Sequence, residues 1–277
     1  MTRRRPDSSK KSVGEADLSR IRTVPVLRRE NKVSADEFAK PPGSDRSFHA
    51  FLESLPDILV ARDFRRVIEA IAGAARKKRT VVVMLGGHIV KTGLAPLLVK
   101  LMVRGVVTHI AMNGSAAIHD FEIARFGGTS EDVAGGLKDG TFGMADETGR
   151  EMNEAFVQGS ERGAGMGEAL ADALANSDLA HPELSVILNA KRLGVTVTVH
   201  AAIGAEIIHQ HPAANGAAIG DTSHRDFRPL ADSLGGLDDG GVADVLAAGG
   251  PGLGLRGPPL HRLLVGRRAG QQLEVGG

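Results

Sequence analysis

The run Thr80-Val-Val-Val-Met-Leu85, followed by Gly86-Gly87, constrains this chain more than any other stretch. It is apolar on both faces and rich in β-branched residues, which suits a central strand of a parallel sheet with both faces covered. Parallel strands need crossover connections, and the residues after the glycines supply one. Thr92–Arg104 carries apolar residues at 94, 97, 98, 101 and 102, the helical repeat, and Gly105 ends it. Val106–Ala111 reads as a second strand, Met112-Asn-Gly-Ser115 as its loop and Ala116–Arg125 as the next helix. This strand–helix alternation predicts an α/β fold, a Rossmann-like parallel sheet flanked by helices with right-handed crossovers.

The flanking text agrees. Asp45–Leu55 and Asp57–Lys77 read as helices before the first strand. Thr129 or Ser130 is expected to cap a turn at Glu131 and Asp132. Asp146–Ser160, Met166–Asn176 and Pro182–Leu193 read as helices, with Gly163-Ala-Gly165-Met-Gly167 as an inter-helix turn. Val195–Val199 is a third strand, His200–Gly204 its loop, Ala205–His209 a helix start and Asp221–Leu234 the last helix.

Composition narrows the chemistry. The chain has 277 residues, net charge +1 and no Cys, Trp or Tyr. Without cysteine there is no disulfide framework, thiolate zinc site or Cys nucleophile. Near-neutral charge argues against a broad nucleic-acid surface. No apolar stretch reaches the length of a spanning helix, and the basic start lacks the apolar run of a secretory signal. A soluble, cytoplasmic protein is expected, residues 1–16 forming a disordered basic tail and 17–234 the α/β domain. Residues 235–277 hold 13 of the 36 glycines and three of the 12 prolines, and Phe227 is the last aromatic. At that density no strand or helix is expected there, and 235–277 reads as a tail that is not natively folded.

In open α/β sheets, ligands collect outside the carboxyl ends of the strands. Three small-residue loops leave the strands there: Gly86-Gly87-His88, Asn113-Gly114-Ser115 and His200–Gly204. Together they would suit a nucleotide phosphate, although neither the G-x-G-x-x-G nor the P-loop pattern is present. Lys91 reads as a phosphate ligand or as a solvated charge at a helix start. The polar constellation is His119-Asp-Phe-Glu122 with Glu206-Ile-Ile-His209-Gln-His211, in which His119 and Glu122, and Glu206 and His209, share helical faces. This matches no H-E-x-x-H metal pattern, and no metal site is assigned. Ser115 lacks the G-x-S-x-G context of a hydrolase nucleophile. His109 reads as a packed sheet residue.

Three segments resemble the deoxyhypusine synthase family, in particular its prokaryotic deoxyhypusine synthase-like branch. They are Val83–Leu98, Thr108–Asp120 and Gly194–Gly204, with Asn113-Gly-Ser-Ala-Ala-Ile-His-Asp-Phe-Glu122 the most specific, and the likeness spans roughly residues 17 to 234. The resemblance implies a homotetramer that binds NAD between subunits. It also implies oxidation of a polyamine and transfer of its aminobutyl group, through a lysine imine, to a protein acceptor. By resemblance, Gly86, Gly87, His88, Thr92, Gly93, Asn113 and Gly114 are the cofactor-binding residues. The family's acidic pair corresponds to His119 and Asp120, and Glu206 matches an aspartate of its third ligand loop. Asp120, His119 and Glu206 are therefore the expected catalytic residues. Lys191 is the last lysine in the sequence, so the imine-forming lysine has no counterpart, and 235–277 reads as a shifted frame or a truncation. The leading expectation is NAD-dependent transfer of an aminoalkyl group; the alternatives are a non-catalytic nucleotide-binding or assembly protein, and a metal-dependent hydrolase.

Overall fold

The computed structural model describes residues 16–239, 242–246 and 264–265, and the chain divides into two compact units, 1–62 and 63–277. In the first, Ser34 and Glu37 form a reciprocal capping box on a short 3-10 turn, Ala35–Glu37. Helix α1 (Phe48–Ser54) starts where the Ser47 hydroxyl accepts the Ala50 amide at 3.1 Å, and α2 (Leu59–Arg76) follows it in the chain, within the helix expected over 57–77. Arg62 closes this unit by pairing with Glu37.

The second unit is an α/β sheet. Its strands are β1 (Val81–Leu85), β2 (His109–Asn113), β3 (Thr196–His200), β4 (Val242–Leu246) and β5 (Leu264–Val265), in the order β3-β2-β1-β4-β5. β1 to β4 run parallel and β5 antiparallel to β4. The order reverses direction beside β1, the switch point at which doubly wound sheets open a crevice.

Alternation along the strands builds a three-layer packing. Val81, Val83 and Leu85, with Ile110 and Met112, face the larger core. There they meet α3 (Gly87–Lys91), α4 (Ala95–Val103), α5 (Gly114–Phe126), α8 (Met166–Ala175) and α9 (Val186–Leu193) through Val90, Leu98, Phe121, Leu170 and Ile187. Val82 and Ala111 face the other way, onto Leu230 of α10 (Gly216–Gly235) and Leu237. Full burial of each such side chain is worth about 1.5–3 kcal/mol. On that second face His109 is indeed packed in the sheet. Its ring bridges Thr198 Oγ1 (2.9 Å) and Ser233 Oγ (2.8 Å), and burial, helped by His200, depresses its pKa to about 4.

Several boundaries differ from the expected ones. The helix expected over 92–104 is shorter, α4 at Ala95–Val103, because Gly93, at φ 88°, turns the chain ahead of it, and a separate short helix, α3, takes up the expected loop from Gly87 to Lys91. The loop at 112–115 does not exist, because Asn113 ends β2 and caps α5 directly, accepting the Ala116 amide at 2.9 Å. Asp132, not Thr129 or Ser130, caps α6 (Val133–Asp139). Helix α7 (Asp146–Arg162) and α8 fall where the repeat places them, with Gly163 at φ 76° between. Helix α9 starts four residues late because Ser185 takes the cap. Residues 205–209 give only a 3-10 turn, Ile207–Gln210, and the last helix begins five residues early, at Asn215's cap. The expectation of no strand beyond 235 fails at 242–246, where β4 pairs with β1 along Val81–Leu85; most of the remaining tail lies outside the described residues.

Candidate functional site

A pocket of about 200 Å³ opens at the carboxyl ends of β2 and β3. Lys91 from α3, Ser115, His119 and Glu122 from α5, Glu131 before α6, and Glu206 before the 3-10 turn line it, with Phe142 and Ile207 as apolar wall. Three carboxylates face one lysine. A pocket at this end of the strands was expected to suit phosphate; this one presents carboxylates.

Each carboxylate is held by neutral donors. Glu206 is buried at 7% exposure, and both its oxygens accept the Ala202 amide, at 3.1 and 3.0 Å. The Gly114 amide, first in α5, also donates to it, and His209 Nδ1 lies 3.3 Å away. Burial raises its pKa above the usual carboxylate range, and those donors and His209 pull it back. Glu131 takes the Gly143 amide on both oxygens at 3.0 Å. Glu122 accepts the Thr148 hydroxyl at 3.0 Å and the Thr129 hydroxyl on its other oxygen. His119 Nδ1 sits 2.7 Å from Thr129 Oγ1. Burial, then Lys91 and His88, lowers the pKa of the His119 ring, which favours the neutral imidazole.

The structure brings His119 and Glu206 together and takes Asp120 away from them. Asp120 points to the opposite side of α5, fully buried, and accepts the Ser185 hydroxyl (2.6 Å) and the Val186 and Ile187 amides (2.6 and 3.2 Å). It caps the N-terminus of α9, where an anion is favoured, and no face of it reaches the pocket. Burial drives its pKa up to about 6, offset in part by Ser185 and the two amides. Asp120, expected from the resemblance to be catalytic, stands outside this pocket, its carboxylate joining α5 to α9.

Of the seven expected cofactor residues, His88, Thr92, Gly93 and Asn113 are exposed and Gly86 is half-buried, all at the carboxyl side of β1 and β2. Gly87 and Gly114 are different. A Cβ on Gly87 would meet Ser115 Oγ at 2.3 Å, and one on Gly114 would meet Glu206 Cγ at 2.5 Å. These two glycines admit neighbouring protein atoms rather than a ligand. Thr129, Glu131, Phe142 and Thr148 were not singled out for the site from the sequence. They follow α5 or come from α7, and no helical spacing links them to His119; Glu122 was found through its spacing from His119.

A wider groove of about 520 Å³ lies between α8 and α10, lined by Lys191, Arg225, Arg228 and Asp226 beside β3. Asp226 is committed there to the Gly167 and Val199 amides, at 2.8 and 2.7 Å. Among the described residues, no three His, Asp or Glu side chains gather as metal ligands would.

No protein-family profile and no curated protein matches the chain. Similar solved structures exist. An arginine dihydrolase of the ornithine–ammonia cycle in cyanobacteria is 16% identical, with TM-score 0.42, over 69% of this chain and 25% of that one. A candidate deoxyhypusine synthase from Entamoeba histolytica is 13% identical, with TM-score 0.45, over 74% and 79%. A candidate LOR/SDH protein from Methanococcus maripaludis S2 is 14% identical, with TM-score 0.39, over 82% and 59%. The chain thus spans about a quarter of the length of the dihydrolase, and scores this low carry no function across.

Proposed function

We propose that the pocket binds an aliphatic polyamine-type amine. The observation that carries this is its charge: Glu122, Glu131 and Glu206 against Lys91, with the His119 ring shifted toward its neutral form. An elongated cation with several N–H donors satisfies such a wall, whereas a phosphate would be repelled. The finer reading, NAD-dependent transfer of an aminoalkyl group, draws on the deoxyhypusine synthase resemblance. Gly86, His88, Thr92, Gly93 and Asn113 would hold the dinucleotide beside the switch point, and it would supply the hydride acceptor. His119 and Glu206 would orient the amine and take up its proton; assembly as a tetramer belongs to the same proposal.

Calorimetric titration with spermidine tests the pocket: saturable heat, lost in Glu206→Gln, is expected, and no heat beyond dilution sinks the reading. Adding NAD and following absorbance of the reduced nicotinamide then separates enzyme from binder. The position of Asp120 favours the second outcome, a non-catalytic amine- or nucleotide-binding protein, because one of the three expected catalytic groups is structural.

A further inference from the structure

The pocket contains a hydrogen-bonded chain whose directions are fixed by proton counting. Thr148 donates to one oxygen of Glu122, and Thr129 donates its only hydroxyl proton to the other. The Thr129 oxygen then has nothing but lone pairs to offer His119 Nδ1, 2.7 Å away. Nδ1 must therefore carry the ring proton, as the neutral imidazole has one N–H and one acceptor nitrogen. Nε2 is left without a proton, and it has no hydrogen-bond partner among the described residues although His119 lines the pocket. Gly87 is what lets the ring sit here, since a Cβ at that position would lie 2.9 Å from His119 Cδ2.

We propose that Thr129 and Glu122 are positioning residues that lock His119 as its Nδ1–H tautomer, making Nε2 the acceptor that takes an N–H of the bound amine. This rests on the amine reading of the pocket. The titratable groups around the ring are Lys91 and His88 of α3, which act on it, and Glu122 on α5 itself, with Glu131 and Glu206 lining the same cavity. The carboxylates supply attraction for the cation. Nε2 supplies direction, because one lone pair in the ring plane accepts from one N–H. If the amine loses that proton, it moves to Nε2 and the ring becomes imidazolium, while Nδ1–H stays on Thr129 and the positive charge is balanced through the hydroxyl by Glu122.

The test is ring ¹⁵N NMR on the full chain without ligand. His119 is expected with protonated Nδ1 and bare Nε2. Thr129→Val should return it to the Nε2–H form that free imidazoles prefer, and Thr129→Ser should restore the Nδ1–H form. A wild-type ring carrying its proton on Nε2, or a ring indifferent to Thr129→Val, overturns the proposal. With 1,4-diaminobutane as probe, the Nε2 resonance should shift at saturation and Thr129→Val should weaken binding roughly threefold to tenfold. Diamine that binds the wild-type chain without moving Nε2 also overturns it. Failure of the diamine to bind at all removes the amine reading instead, and the tautomer in the free protein then decides the lock by itself.

Discussion

Glycine at 114 is forced by a side chain, not by a turn. With Glu206 Cγ and Cδ at 2.5 and 2.7 Å from a Cβ there, Gly114→Ala must push the carboxylate out of its place over the start of α5. A cost of about 1–3 kcal/mol is expected from overpacking, seen as a lower Tm, together with weaker spermidine binding. Lys91 gives the opposite prediction. It is the one cation among the pocket's lining side chains apart from any charge on His119, so Lys91→Gln should tighten spermidine binding severalfold in calorimetry, most clearly at low salt. Asp120 differs from both. Removing its carboxylate leaves the Ser185 hydroxyl and the Val186 and Ile187 amides without their acceptor. Asp120→Ala should therefore lower stability by about 3–5 kcal/mol, where a purely catalytic aspartate would leave Tm almost unmoved.

Helix α10 is fastened to the outer edge of β3 by polar side chains. Asp226 takes the Val199 and Gly167 amides, and Ser223 Oγ takes the Ala201 amide at 3.0 Å. Replacing Asp226 with Ala should speed hydrogen exchange at Val199 and Gly167 by orders of magnitude while sparing Val83 in the sheet centre; unchanged protection would sink the fastening role. Such links explain what was legible in the sequence. The elements with a strong period, β1, α7 and α8, stand where the pattern puts them, because burial alone decides them. The boundaries set by a single cap moved: Asn113, Asp132, Ser185 and Asn215 each accept an amide at a helix start, and one such hydrogen bond leaves no period in the sequence. Half of the site was legible, since His119, Glu122 and Glu206 sit on or beside elements with readable spacing. Thr129, Thr148 and Glu131 were not, because their partners depend on how α7 and the segment after α5 fold back over it. The buried position of Asp120 was not legible, because a buried cap and a substrate carboxylate look identical in a sequence.

For the whole molecule, buried groups pull the pH profile in two directions. Asp120 and Asp226, both raised to about 6 by burial, contribute stability that is present below their ordinary value of 3.8 and lost as pH rises through about 6. His109, depressed to about 4, contributes stability present above 6.5 and lost as pH falls through about 4; His119 and His200 shift the same way. Between those limits the two sets oppose each other. His109→Gln should remove on the order of 3 kcal/mol of acid sensitivity, so its Tm should fall less than that of the wild-type chain between pH 7 and pH 5, as scanning calorimetry can show. The strand order has a further consequence, in time rather than in space. β1 is central only because β4 lies against it, and Val81 pairs with Val242, most of the chain away. During synthesis the Val-Val-Val-Met-Leu strand therefore waits with one edge unpaired until residues 242–246 have left the ribosome. An open apolar edge of this kind invites pairing between nascent chains, which makes the interval before β4 docks an aggregation-prone stage in the life of the protein.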